Sequence, residues 1–254
     1  TVEALNYLVS LLRTDPQMKV AALNLSLGGY ESTAPGKVQS SVYWRAYKVL
    51  DDLDRTVIVV AAGNEGFEVG KPVPYTEPTD PKDPDASPFF ERGDYGYPAS
   101  FTGLKNLIVV GAAESNGGAA SFSNWSPTAV SLAAPGVRIL STITPQSNGA
   151  IYAHSNGTSM ATPHVAGAAA LLASCYPNAT ASQIKDALLK GADGSRNPVA
   201  TARTNTGGAR LSQYGYLDVR GALNILEATS PDLGPKPQPN PQPQPNPEPQ
   251  PNPE

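Results

Sequence analysis

Three short, predominantly apolar runs, at residues 20–27, 57–62 and 107–112, constrain the fold of this chain more than any other feature. Helical patterns of apolar residues separate and follow these runs. Such alternation is typical of βαβ units wound around a mostly parallel sheet. The sequence therefore predicts an α/β fold with three layers, in which helices cover both faces of a doubly wound, mostly parallel sheet.

Four helices can be placed by their spacing and end signals. The first lies between the first two apolar runs and presents a single apolar stripe to the sheet. The second begins at Ser159, the third runs from Thr180, where T-A-S-Q resembles a capping box, to Gly191, and the last follows Leu217. The apolar stripe of the first consists of Val38, Val42, Ala46, Val49, Leu50 and Leu53.

The chain divides into a globular part, residues 1–230, and a proline-rich segment, residues 231–254. Pro occupies nearly every second position of that segment, which disfavours helix and sheet and favours an extended polyproline II linker. Within the globular part, residues 66–95 form a long loop that is rich in Pro and acidic residues. We expect this loop to lie beside a functional edge, although solvated charge alone would also account for its composition.

Charge and hydropathy exclude two classes of partner. The net charge is −4 and the sequence pI is about 5.2, so no basic face is available for nucleic acid or an anionic membrane. The longest nearly unbroken apolar run, residues 165–173, is shorter than the roughly 18 residues of a membrane-spanning helix. We therefore predict no nucleic-acid partner and no membrane span.

One serine stands in a setting that suits a nucleophile. Ser159 lies in Gly157-Thr158-Ser159-Met160-Ala161, at the predicted start of a helix, where free backbone N–H groups and the helix dipole would face a reacting carbonyl. Taken alone, the pentapeptide fits an ordinary N-cap serine equally well.

A longer stretch around Ser159 resembles a known family. Residues 156–167 read NGTSMATPHVAG and resemble the active-serine segment of the subtilisin family of serine peptidases. Residues 24–29, 61–66 and 134–136 resemble further segments of that family, in the same order along the chain. The resemblance covers nearly all of residues 1–230.

The resemblance implies a role for each of these segments. Ser159 would be the nucleophile and Asn64 the side-chain donor to the oxyanion, and an Asn amide suits this role because it donates without ionising. Gly96 would form the floor of the pocket for the residue before the scissile bond, P1, leaving room for bulky apolar side chains. Glu65 would stand at its rim, where it would either favour cationic side chains or take no part. The two pocket walls would be Ser26, Leu27, Gly28 and Gly29 on one side and Ala61, Ala62 and Gly63 on the other.

The residues that should activate Ser159 are missing from the sequence. The chain has only two histidines, and neither fits the general base: His164 follows on the same helix, and His154 alternates away from Ser155 on the preceding strand. The family's Asp and His segments come before the strand that ends at Ser26. We therefore expect an N-terminally truncated peptidase domain, inactive by itself, whose parent also carries a pro-segment. A further C-terminal domain beyond the linker is also expected.

Other interpretations remain open from the sequence. An α/β-hydrolase would need a histidine well after Ser159, and a sedolisin would use an acidic oxyanion residue in place of Asn64. A secreted binding or adhesion module on a catalytically retired scaffold is the non-enzyme alternative.

No cofactor is required for the chemistry, and we assign no metal site, although the family resemblance allows a structural calcium near the backbone of Ala99 and Phe101. The family and the linker predict an extracellular, secreted protein that acts on proteins or peptides, and the linker also allows a tether at the cell surface.

Overall fold

The computed structural model describes residues 1–75, 89–145, 149–200 and 208–230. Eight strands and five α-helices lie in these ranges. The strands are β1 (Ala22–Leu25), β2 (Gly29–Glu31), β3 (Val57–Ala61), β4 (Tyr95–Tyr97), β5 (Leu107–Ala113), β6 (Leu132–Pro135), β7 (Ile139–Thr142) and β8 (Tyr152–Ser155). The helices are α1 (Val2–Thr14), α2 (Val42–Asp52), α3 (Thr158–Cys175), α4 (Ala181–Lys190) and α5 (Val219–Thr229).

A parallel four-stranded sheet, in the order β1-β3-β5-β6, forms the centre of the fold. The three predicted apolar runs supply β1, β3 and β5. All five residues of β3 are buried, and they alternate between the two faces of the sheet. Val57 and Val59 pack with α3, α4 and α5, whereas Ile58 and Val60 pack with α1 and α2. Helices therefore cover both faces, and the predicted three-layer α/β fold is confirmed.

The predicted apolar stripe from Val38 to Leu53 is wrong in two respects: Val38 is buried but precedes the helix, and Val42 is not buried. Residues Pro35–Ser40 form a separate 3-10 turn, and α2 begins only at Val42, after the Ser41 hydroxyl accepts the backbone N–H of Trp44. Val42 is 69% exposed. Ala46 and Leu50 of the predicted stripe are buried, and Tyr47 and Asp51 are buried beside them. Apolar spacing did not predict the last two because both carry polar groups.

The later helices follow their sequence signals closely. The side chains of Thr180 and Gln183 form both hydrogen bonds of a capping box at the start of α4, and Gly191 ends that helix. Helix α5 follows Leu217 with Asp218 as its N-cap. Helix α3 begins one residue before the predicted position, at Thr158. Two short antiparallel pairs, β2 with β4 and β7 with β8, were not predicted.

Asp51 fastens the loop before β5 to the end of α2. Its side chain is 1% exposed and accepts the backbone N–H of Asn106 at 2.7 Å and of Lys105 at 3.1 Å. We expect Asp51→Ala to lower the free energy of unfolding by about 2–3 kcal/mol, because it leaves buried N–H groups without an acceptor. Asp52→Ala is the control, since that side chain is 59% exposed and its ion pair with Lys48 contributes less than about 1 kcal/mol. Urea unfolding of both variants compares them, and equal losses would contradict the assignment.

The linker at 231–254 and the acidic residues Glu77, Asp80, Asp83 and Asp85 lie outside the described residues. Within the described ranges, no helix is both long enough and apolar enough to cross a membrane.

Candidate active site

The predicted site residues gather at the carboxyl ends of the parallel strands. Ser26 directly follows β1, Ala61 ends β3, and Ser159 lies in the first turn of α3. Open α/β sheets bind ligands at this edge, because loops and helix N-termini converge there while the strands themselves stay packed. The fold thus presents Ser159 beside two strand ends that come from distant parts of the sequence.

Gly157 sets the sharp approach to Ser159. Its backbone has φ 156° and ψ 159°, a conformation almost confined to glycine. The Gly157 N–H donates to the carbonyl of Gly136, which follows β6, at 2.8 Å, and the Gly157 carbonyl accepts from Met160 and Ala161. A side chain at Gly136 would lie 2.8 Å from the Gly157 carbonyl oxygen, so both glycines are needed for this close packing. The start of α3 is thereby fixed against β6.

A proline inside α3 explains the role of Ser26. Pro163 has no N–H, so the carbonyl of Ser159, four residues earlier, receives no helical hydrogen bond. The Ser26 hydroxyl donates to that carbonyl at 2.8 Å, and the Asn24 amide supports Ser26 at 3.1 Å. The residue expected in the pocket wall therefore also anchors the backbone of the candidate nucleophile.

Neither histidine reaches the hydroxyl of Ser159. His154 Nδ1 lies 2.9 Å from the carbonyl oxygen of Arg138, and His164 Nδ1 lies 2.9 Å from that of Met160, one helical turn back. In the described part of the chain, the only hydrogen bond of Ser159 Oγ goes to the carbonyl of Ser26, at 3.5 Å. A contact of that length is at the limit of hydrogen bonding and supplies no base.

Two hydrogen-bond donors beside Ser159 are oriented and unused. Asn64 Oδ1 accepts the backbone N–H of Thr158 at 2.8 Å and its hydroxyl at 3.0 Å. Since an N–H must meet the amide oxygen, the NH₂ group of Asn64 is directed away from Thr158. Neither this NH₂ nor the backbone N–H of Ser159 has an acceptor among the described residues. A side-chain donor and a main-chain donor are thus available for an oxyanion.

A cavity of about 210 Å³ adjoins these groups. It brings together almost all of the residues predicted for the substrate pocket, and Phe89 and Tyr30 join them. Ser26 does not line the cavity, and within the described residues its hydrogen bonds to the site are those with Ser159. The predicted residues that line it are Leu27, Gly28, Gly29, Ala61, Ala62, Gly63, Asn64, Gly96 and Ser159.

Asn124 is a structural residue of the site that the sequence analysis missed. It is 4% exposed, and its Oδ1 accepts the backbone N–H groups of Phe67 at 2.7 Å and Glu65 at 3.2 Å. Its Nδ2 donates to the Ala62 carbonyl at 2.9 Å and to the Glu65 carboxylate at 2.8 Å. The one signal that could have identified it is its place in Ser-Asn-Trp, where both neighbours of Asn124 are buried. Asn124 therefore holds the turn that carries Asn64.

The same turn requires a glycine at position 63. Gly63 has φ +104°, and a side chain there would collide with Asn124 Nδ2. Gly63, which the resemblance places in the pocket wall, is thus also required because a side chain there would displace Asn124.

Removing the Asn124 side chain should loosen this wall. We expect Asn124→Ala to lower the free energy of unfolding by about 2–3 kcal/mol, because buried N–H groups of the turn lose their acceptor. Asn178→Ala, at an exposed position with no side-chain hydrogen bond to the described residues, should change it by less than about 0.5 kcal/mol. Thermal unfolding measures both, and a loss of similar size for Asn178→Ala would contradict the role given to Asn124.

Tyr30 joins the two sides of the cavity. Its hydroxyl donates to the Glu65 carboxylate at 2.5 Å, and Asn124 Nδ2 and the Asn64 N–H donate to the same oxygen at 2.8 Å each. Burial, followed by the nearby charge of Glu65, raises the pKa of Tyr30 far above its ordinary value. Tyr30 therefore remains a protonated donor well into the alkaline range.

The described residues hold no group of three or more His, Cys, Asp or Glu side chains that could bind a metal ion. Ala99 and Phe101, whose backbone the resemblance connected with calcium, lie in a turn whose hydrogen bonds use other carbonyl oxygens. The Ser100 N–H donates to the Gly96 carbonyl and the Phe101 N–H to the Pro98 carbonyl, at 3.0 Å each.

Comparison of the sequence with known proteins gives concordant matches. The model of the subtilase family matches residues 1–216. Subtilisin DY of Bacillus licheniformis is 32% identical over 216 residues, which are 85% of this chain and 61% of that protein. Subtilisin E of Bacillus subtilis (strain 168) is 47% identical over 168 residues, which are 65% of this chain and 34% of that protein. The chain thus spans less than two thirds of the length of these relatives.

Solved structures with a similar fold include proteases. One, from Pseudoalteromonas arctica, superposes with a TM-score of 0.55 at 27% identity, covering 80% of this chain and 50% of that one. MycP1 from Mycobacterium smegmatis superposes with a TM-score of 0.56 at 25% identity, covering 86% of this chain and 54% of that one. The resemblance first seen at residues 156–167 is confirmed over most of the sequence, and the chain belongs to the subtilase family.

Proposed function

We propose that this chain carries the nucleophile and the oxyanion donors of a serine endopeptidase that cleaves peptide bonds by acyl transfer. The observation that carries the proposal is the arrangement at the start of α3. There Asn64 is fixed by Thr158 with its NH₂ group free, beside the free N–H of Ser159. Preorganised donors of this kind stabilise the negative charge that develops on the carbonyl oxygen.

In the proposed reaction, Ser159 Oγ attacks the carbonyl carbon of the substrate while a general base takes its proton. The carbonyl oxygen becomes an oxyanion, which the NH₂ of Asn64 and the N–H of Ser159 stabilise. The tetrahedral intermediate then collapses, and the protonated base gives its proton to the departing amine. Water repeats the sequence on the acyl-enzyme and frees Ser159.

The general base and its aspartate are proposed to come from residues outside this chain. Both histidines of the sequence are occupied with backbone carbonyls away from Ser159. The chain also spans only 61% of subtilisin DY, so that relative has room for further segments. On this proposal, residues 1–254 alone are inactive.

The cavity next to Ser159 is proposed as the subsite for P1. Its volume of about 210 Å³ exceeds the roughly 150 Å³ in which a benzene ring is held in a protein interior. It therefore suits bulky apolar side chains, with broad specificity. An extended substrate would pair with the main chain at 26–29 and 61–63, in the manner of an added strand.

The setting of the whole protein is proposed from the family. We propose an extracellular, secreted enzyme for protein or peptide substrates, with a pro-segment before the catalytic domain and the 231–254 segment as a linker to a further domain or a cell-surface tether. The chemistry itself requires no cofactor.

The test is to recover the coding sequence upstream of Thr1 and to express the longer protein beside residues 1–254. Casein hydrolysis and labelling by a fluorophosphonate probe are measured for both. We expect only the longer protein to hydrolyse casein and to be labelled. A longer protein that folds but neither cleaves nor labels would instead identify a binding module on a protease scaffold.

A further inference from the structure

Tyr30 lines the cavity beside Ser159 but takes no part in the proposed reaction. Tyr30 lies on β2 directly opposite Gly96 of β4. Its ring crosses the bare backbone of that glycine, since a side chain added at Gly96 would lie 3.3 Å from Tyr30 Cε1. The position expected to give the pocket its depth is therefore covered by the ring of Tyr30.

The hydroxyl of Tyr30 completes a bar across the cavity. The Tyr30 side chain starts from the wall that contains Gly28 and Gly29. Its hydroxyl donates to Glu65, in the turn after the opposite wall, at 2.5 Å. The ring is held from behind by aromatic packing, with its centroid 5.1 Å from that of Phe90 and 6.3 Å from that of Phe67. Both of these partners are buried. Tyr30 is thus fixed at both ends of its side chain.

A second cavity lies behind this bar. It measures about 10 Å³ and shares Tyr30, Ala62 and Gly96 with the cavity beside Ser159, while Phe67 and Asn124 close its far side. Tyr30 thus lines both spaces, and we expect its removal to deepen the cavity beside Ser159 toward the second one.

We propose that Tyr30 is the residue that determines specificity at the P1 subsite, through two separable effects. Its ring limits the depth of the pocket, so that leucine and phenylalanine fit while the larger indole of tryptophan is excluded. Its hydroxyl occupies the Glu65 carboxylate, which reduces the attraction of that carboxylate for a cationic P1 side chain. The inference rests on the proposed peptidase function of the same site.

Each effect has a variant that changes it alone. Tyr30→Ala removes the ring and should raise the ratio of kcat/KM for a Trp substrate to that for a Leu substrate by about tenfold, the usual size of discrimination by pocket volume. Tyr30→Phe keeps the ring and should leave that ratio within about twofold. It should raise the Lys-to-Leu ratio by about threefold to tenfold, because the carboxylate loses a hydrogen bond that an ammonium group can replace.

A variant on the facing strand gives the opposite shift while Tyr30 itself is kept. In Gly96→Ala the new Cβ, 3.3 Å from the ring, pushes Tyr30 into the pocket, and the Phe-to-Leu ratio should fall by about threefold to tenfold. Tyr7→Phe, on α1 at a position that is 67% exposed, is the matched control and should leave every ratio unchanged.

The experiment measures kcat/KM for peptides that differ only at P1 (Leu, Phe, Trp, Lys), using the protein expressed with its upstream sequence. The shifts above support the inference. If Tyr30→Ala does not fold, the Lys-to-Leu ratio of Tyr30→Phe decides, because Gly96 itself lines the cavity and a methyl group there narrows it with or without Tyr30. Hydrolysis by folded variants with wild-type ratios would overturn the inference and leave the peptidase standing. Absence of hydrolysis of all four peptides by the wild-type protein would overturn the proposed function and this inference together.

Discussion

Replacing Ser159 with alanine is expected to abolish peptide hydrolysis by the protein expressed with its upstream sequence. The variant cannot form the acyl-enzyme, so only the stabilisation provided by binding and by the oxyanion donors remains. The expected loss in kcat is about 10⁶-fold, a magnitude measured on subtilisin, a relative of this chain, and not calculated for it. Labelling by a fluorophosphonate probe should disappear as well, because the probe reacts with the same hydroxyl.

The control for this variant is Ser174→Ala, on the last turn of the same helix. Ser174 is exposed and makes no side-chain hydrogen bond to the described residues, so hydrolysis and labelling should both equal the wild type. Probe labelling that persists in folded Ser159→Ala would place the nucleophile elsewhere.

Replacing Asn64 with aspartate is expected to lower kcat by about 10²- to 10³-fold with little change in KM. This magnitude, too, comes from subtilisin. The aspartate retains an oxygen that can accept the N–H and hydroxyl of Thr158, so the local structure should be kept. It lacks the NH₂ group, and its negative charge would lie beside the oxyanion. The loss should therefore appear in the transition state, where the oxyanion develops, and not in substrate binding.

A second substitution at the same position separates the donor from the anchor. Asn64→Ala removes the NH₂ group and also leaves Thr158 without its acceptor, so it should lower both kcat and the midpoint of thermal unfolding. Asn64→Asp should lower kcat alone. Equal kcat values for wild type and Asn64→Asp would show that the oxyanion is held by other groups.

The sequence predicted the layers of the fold well because strongly apolar strands leave few alternatives. The runs that became β3 and β5 are buried on both faces, and that burial forces helices onto both sides. The helix before β3 was harder to place. Apolar spacing placed Val38 and Val42 on one buried helical stripe. Val38 is buried but precedes the helix, and the Ser41 cap set the start of α2 and turned Val42 outward.

At the site, the sequence identified residues through motifs but could not find the partners that motifs do not contain. Tyr30 and Asn124 are 94 positions apart, and each contacts Glu65 only after β2, β3 and the segment after β5 come together. No local sequence pattern indicates such a cluster. The depth expected from Gly96 likewise ignored the ring that the facing strand places across it.

The proline within α3 has a consequence for the order in which the candidate site forms. Because Pro163 leaves the Ser159 carbonyl without a helical partner, that carbonyl depends on Ser26, 133 positions earlier in the chain. Thr158 depends in the same way on Asn64, 94 positions away. Contacts of such long sequence separation form late, after the chain has closed large loops. The backbone on either side of the serine is therefore expected to reach its final geometry only after distant parts of the chain have come together.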